Sequence, residues 1–217
     1  IVARANMAPV EWADGAKAIA FTQLFTGSIN APTTATAFAL VGEHLQPGVR
    51  RVPDGEPGDR ANWVLVHSSH FLSNPTLDVI DGRATIRPGI DVSFGDVDYH
   101  SAAITSYREF RSARDSGILE PDSRFLVSIA TPFNAVNSFA HFDSQVEIAL
   151  AYETALRRSV EHIQDVIPHA DLAIQWDLPT ELATIEGWFA NHYPDQESIF
   201  AATARLAGWI AEDVDLT

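Results

Sequence analysis

The chain has 217 residues, 46% hydrophobic and 20% charged, and its 29 Asp and Glu against 14 Lys and Arg give a formal net charge of −15. That balance argues against nucleic acid and anionic membrane surfaces as partners, since both attract clustered Lys and Arg. No apolar run approaches the roughly 20 residues of a membrane span, no basic-then-apolar leader opens the sequence, and cytoplasm is the default expectation. The chain has no Cys, so it supplies no disulfide, thiolate ligand or thiolate nucleophile.

A strand-like run, a turn and a helix-like run recur along the chain. "AIAFTQLFTGSI" (18–29) reads as a strand, apolar almost throughout, as expected where both faces of a sheet are covered. "TTATAFALVGEHL" (33–45) reads as the following helix, with Thr33 or Thr34 as its cap and Gly48 beyond its end. "GVRRVPDG" (48–55) is a second strand and "DRANWVLVHSSHFL" (59–72) a second helix. Residues 73–96, rich in Pro, Gly and Asp, read as an irregular excursion. A helix follows at about 97–115, then a strand over "RFLVSIATPF" (124–133).

The clearest helix is 143–167. Val146, Ala149, Tyr152, Leu156, Val160, Ile163 and Ile167 recur every three or four residues and form one apolar stripe. "ADLAIQWD" (170–177) is a fourth strand, helices are expected near 180–190 and 196–211, and "VDLT" (214–217) opens a fifth strand. The alternation predicts one parallel α/β domain over 1–217. Two architectures compete, an open doubly wound sheet and a (β/α)8 TIM-type barrel. The first strand is not followed by G-x-G-x-x-G, which weakens the dinucleotide-binding sheet. A barrel needs eight strands over about 250 residues, so on that reading the chain covers the first four to five β/α units.

Ligands of parallel α/β folds bind where strands end at their C-termini. Four such ends are readable: Gly27-Ser28, Asp54-Gly55-Glu56, Thr131-Pro132, and the run from Gln175 to Glu181. Glu56 and Asp177 each follow an apolar strand beside a proline. Strands two places apart lie about 10 Å apart at ordinary strand spacing, so the two carboxylates can converge on one small cation such as a substrate ammonium. The alternative is that Asp54 and Glu56 serve the turn and Asp177 caps the next helix. Gly27-Ser28 offers close backbone approach and donors for an anion, or is a plain turn. Gln175 is an amide inside an apolar strand and needs hydrogen bonds that a lined cavity would supply. Trp176 reads as core. His67 and His70 share a helical face at a spacing that can hold metal, without an evident third ligand. Arg157 and Glu161 form a solvated helix pair.

Taken in order, these strand ends resemble the catalytic barrel of cobalamin-independent methionine synthase and its relatives, a superfamily that includes the uroporphyrinogen decarboxylase fold. "TGSI" is similar to that family's Ile-Gly-Ser-Phe, and "PDGEPGDRANW" to its His-Gly-Glu segment with a following Arg and helix. "SIATP" is similar to its Thr-Gly-Pro-Val-Thr strand end, and "IQWDLPTE" to its Gln-Ile-Asp-Glu-Pro. The pattern looks closest to a single-barrel branch of methionine-synthase-like proteins and spans about residues 18–181.

The resemblance implies that Gly27 and Ser28 hold the carboxylate of an amino-acid substrate and that Glu56 and Asp177 hold its ammonium, with Asp54, Gln175 and Glu181 lining the pocket. It also implies a zinc that activates the acceptor thiol, and a methyl donor such as a folate. The family's zinc ligands are His, Glu and two Cys in the later half of the barrel, so zinc is expected from residues outside this chain. "LPTE" in place of Glu-Pro after Asp177 puts homocysteine itself in doubt.

The leading expectation is therefore an enzyme that moves a methyl or other one-carbon group to the thiol of an amino-acid-like substrate. Two rivals stand beside it. One is a metal-independent decarboxylase or lyase of the same fold. The other is a non-catalytic half-barrel module that binds a ligand or forms a homo-oligomer through its open sheet edge.

Overall fold

The computed structural model describes residues 27–46, 48–188 and 195–217. The expected first strand lies mostly outside them; residues 18–26 are not described.

Thr33 caps α1 (Thr34–His44), its hydroxyl accepting from the Thr36 N–H at 3.1 Å. β1 (Arg51–Pro53) follows, then a 3-10 turn over Gly58–Asn62 and α2 (Trp63–Leu72), which divides the helix expected at 59–72. β2 (Leu77–Ile80) and β3 (Arg83–Ile86) pair antiparallel. The expectation of an irregular 73–96 is thereby corrected. The turn Asp81-Gly82 supplies two consecutive positive φ angles, 50° and 74°, which is what a tight hairpin demands.

α3 (Tyr99–Asp115) leads to β4 (Arg124–Ala130). That strand stops three residues before the expected end, because Thr131 caps α4 (Pro132–Phe139), with Pro132 in its first turn and the Thr131 hydroxyl accepting from Asn134 N–H at 3.0 Å. Proline at the first helical position loses no intrahelical bond.

α5 (Gln145–Val166) carries the apolar stripe, with one correction. Val146 is 60% exposed, and Ile148 is the residue buried in that turn. β5 (Leu172–Asp177), α6 (Pro179–Ile185), α7 (Gln196–Ala207) and β6 (Asp215–Leu216) complete the order. The helix expected near 180–190 ends at Ile185, with residues 189–190 outside the described set, and that expected over 196–211 ends at Ala207.

β1, β4, β5 and β6 form a parallel sheet in chain order. Residues 27–29 extend it beyond β1, through a parallel bridge between Ser28 and Gly55 and a bond from Ile29 N–H to the Gly55 carbonyl. The order never reverses, so among the described residues there is no switch point of the doubly wound kind. The protein is thus an α/β fold with a parallel sheet flanked by helices. The sheet is open.

Alternation along the strands gives its two faces different work. Val52, Phe125, Val127, Ile129, Leu172, Ile174 and Trp176 belong to the main apolar core, joined there by residues of α1, α3 and α5. The register sets Arg51 and Pro53 beside Arg124 and Leu126, and Ser128 and Ala130 beside Gln175 and Asp177; Ala173 pairs with Asp215. These residues share the opposite face.

On that face Arg51 of β1 grips Asp215 of β6 with two bonds, 2.7 and 2.8 Å. Three strand spacings separate β1 from β6, about 14 Å in a flat sheet, which is beyond the reach of an arginine and an aspartate together. The sheet must curl, and its concave side is the one bearing Gln175 and Asp177.

Candidate functional site

The turn after β1 answers why a carboxylate sits between two turn pairs. Gly55 has φ 81° and Glu56 φ 51°, and positive φ in a non-glycine residue is uncommon. A Cβ on Gly55 would meet the Ala37 Cβ at 2.8 Å, so glycine is required there. Asp54 holds the turn. Its carboxylate accepts from Glu56 N–H at 2.9 Å, from the buried Ser106 hydroxyl at 2.6 Å and from Arg60 at 2.7 Å. Backbone strain held by surrounding bonds is a recurrent feature of functional positions.

Glu56 accepts a short hydrogen bond from the Ser28 hydroxyl. Gly27, with φ 108°, leaves room for this approach, since a Cβ there would lie 3.0 Å from Ser128 Oγ and 3.7 Å from Glu56 Oε1. From the end of β5, two places along the sheet, Gln175 donates its amide N–H to Asp177 at 2.7 Å. Asp177 only accepts, so the other amide atom, Gln175 Oε1, remains as an acceptor; it is buried and unpaired among the described residues, as is Ser128 Oγ beside it.

Gly27, Ser28, Asp54, Glu56, Gln175 and Asp177 all line one cavity of about 830 Å3. Burial raises the pKa of both Glu56 and Asp177; the Ser28 bond opposes this at Glu56, while the charges of Asp54 and Asp177 add to it. Gln175 opposes it at Asp177. Carboxylates pushed upward by burial, and at Glu56 by its acidic neighbours as well, form a site that gains by receiving a cation.

Glu181 is elsewhere. It lines a separate, far smaller cavity with Thr131, Arg205 and Leu206, which corrects its expected place in the pocket. The reason lies in α6, whose first turn carries Glu181 beneath α7 rather than toward the strand ends. Burial lifts its pKa to about 7, with Thr131 as an opposing partner.

The sequence reading missed the other wall. Trp63 and His67 of α2 and Tyr99 of α3 line the same cavity. His67 stacks on Tyr99 at 4.8 Å between ring centroids and lies 5.8 Å from Trp63. The Tyr99 hydroxyl accepts from Ala130 N–H at 3.2 Å, and the charges of Asp177 and Glu56 are among the causes that raise its pKa, after burial. The Tyr99 hydroxyl therefore lies within electrostatic reach of both acids, in the lining of the same cavity. Burial, aided by His70, lowers His67 to about 4, so its imidazole is neutral at pH 7. The spacing Trp63-x-x-x-His67 was the available signal; nothing local linked it to Tyr99.

His67 and His70 approach to 5.7 Å between rings, yet among the described residues no group of three His, Cys, Asp or Glu could hold a metal ion. The donor set of a zinc centre is thus not furnished by these residues. Among them, too, no helix is long and apolar enough to cross a membrane. Comparison with protein-family models, curated proteins and solved structures gives no match.

Proposed function

We propose that the cavity recognises the head of an amino-acid-like molecule, with Glu56 and Asp177 receiving its ammonium and the Gly27-Ser28 backbone facing its carboxylate. The observation that carries this is the convergence of two half-buried carboxylates, both raised in pKa, on one cavity. The Ser28 hydroxyl is committed to Glu56; it orients the acid, and backbone donors are left for the guest's anion.

On this reading the sheet is an arc of a (β/α)8 barrel. Chain-ordered parallel strands support that, as does the Arg51–Asp215 strap that curls them. The resemblance to methionine synthase extends the function to methyl or one-carbon transfer onto the guest's thiol, with a folate-like donor. Zinc-assisted thiol activation, as in that family, asks for ligands that the described residues do not supply.

Calorimetric titration tests it. L-homocysteine and L-methionine are expected to bind, and their deaminated counterparts to bind at least tenfold more weakly. Glu56→Gln and Asp177→Asn should each weaken the amino acids by a factor of ten or more, the scale of a lost charged hydrogen bond. Equal binding of aminated and deaminated compounds would refute the assignment.

A further inference from the structure

Resting on that reading of the head-group site alone, and setting aside the thiol transfer that the family resemblance adds, we propose that the guest carries a flat aromatic body, seated against Tyr99, His67 and Trp63, rather than the short aliphatic chain of homocysteine. Three observations converge. The cavity, at about 830 Å3, lies near the upper end of the range of drug-sized ligand sites, about 300–1,000 Å3, and a small amino acid would leave most of it to water. The three rings line it together, with the His67–Tyr99 stack at an interplanar angle of 23°. And Tyr99 lies within electrostatic reach of both Glu56 and Asp177, so an ammonium held by the acids places the rest of its molecule beside this wall.

The chemistry of the wall narrows the class. His67 is 7% exposed, and its Nδ1 is buried and unpaired among the described residues. An orphaned buried nitrogen costs free energy until something pairs with it, and a turn of the ring would bring it to the guest. A neutral imidazole offers that pairing without a charge to repel the guest's ammonium, whereas an imidazolium would compete with it. Stacking of an aromatic body on such rings favours binding beyond area burial alone, and the ammonium gains a ring face nearby. The class that satisfies acids, rings and His67 at once is an aromatic amino acid or aromatic primary amine bearing a ring N–H or O–H.

The test is a calorimetric series with one head and different bodies: L-2-aminobutyrate, L-methionine, L-phenylalanine and L-tryptophan, with tryptamine and indole-3-propionate as partial molecules. Tryptophan is expected to bind at least tenfold tighter than 2-aminobutyrate, and indole-3-propionate to bind far more weakly than tryptamine. Tyr99→Leu should remove most of the aromatic preference, weakening tryptophan by far more than it weakens 2-aminobutyrate; Tyr99→Phe, which keeps the ring, should retain it. His67→Phe should narrow the gap between tryptophan and phenylalanine.

If all bodies bind alike, and binding still falls in Glu56→Gln, the aromatic inference is overturned and the head-group site stands. If indole-3-propionate binds as well as tryptamine, and Glu56→Gln changes nothing, the head-group reading fails and this inference with it. An aromatic preference that survives Tyr99→Leu would also overturn it, because the wall would then not be its source.

Discussion

The two faces of the parallel sheet are built from neighbouring residues and do opposite things. On the convex face, Ile174 is fully buried, Trp176 meets Trp209 at 5.9 Å, and Phe125 lies in a cluster of rings with Phe38, Tyr107 and Phe110. On the concave face the same strands present Ser128, Gln175 and Asp177 to a cavity, with polar atoms left unpaired. A face that is filled by side chains contributes stability; a face left unfilled and acidic gives stability up, and on the proposed reading it is the one that a guest would complete. The contrast is consistent with the general opposition between a stable core and a strained, desolvated site.

Substitution of adjacent residues breaks the comparison most sharply. Ile174→Ala is expected to cost about 2–5 kcal/mol of unfolding free energy, since a fully buried aliphatic side chain leaves a cavity. Gln175→Leu, one residue on, should cost less, since removal of a buried unpaired acceptor offsets the lost bond to Asp177. Urea denaturation of both variants checks this, and a larger loss at Gln175 than at Ile174 would contradict the division of faces.

Glu181 gives the next effect. Burial holds its folded pKa at about 7 against 4.5 for the ordinary group, so the protonated form is the one that the fold favours. Its contribution to stability is present at acid pH and is lost as pH rises from about 4.5 through 7. Glu181→Gln should therefore stabilise the protein at pH 8 by roughly 3 kcal/mol at most, with little effect at pH 4. Thermal melts across that range should show the difference shrinking as pH falls.

The strap is a smaller test. Arg51→Met is expected to cost about 1 kcal/mol, as a half-exposed ion pair does, and to raise hydrogen exchange in β6, which has few other partners. The Arg51 bond holds Asp215 below its usual pKa, so this stabilisation is present at neutral pH and fades as pH drops through the carboxylate range; wild type and variant should converge in acid.

Last, Glu56→Gln in ligand-free protein should raise stability slightly at pH 7. Burial raises the Glu56 pKa, so its ionisation costs the fold something as pH rises, and the Gln variant escapes that cost. The same variant is expected to lose the proposed amino-acid guest. Loss of stability without loss of binding would assign Glu56 to the turn rather than the site.

Much of this arrangement was legible in advance. Strand ends at Asp54-Gly55-Glu56 and at Gln175-Trp176-Asp177 follow from apolar runs meeting turn residues, and both acids do line one cavity. Glu181 was misplaced, because a residue four positions past a strand has already turned with its helix. The hairpin of β2 and β3 was hidden in a segment whose Pro, Gly and Asp content masks two strands of four residues each.

The sequence alone determined the alternation of strands and helices, the acidic balance and the identity of the strand-end carboxylates, because these depend on local periodicity and turn chemistry. Only the tertiary structure decided that Tyr99, 43 positions after Glu56 in the chain, lines the same cavity, that Arg51 reaches Asp215 across a curled sheet, and that Glu181 faces away. Those are distances between segments remote in sequence. They are set by how helices pack on the convex face, and no local pattern encodes them.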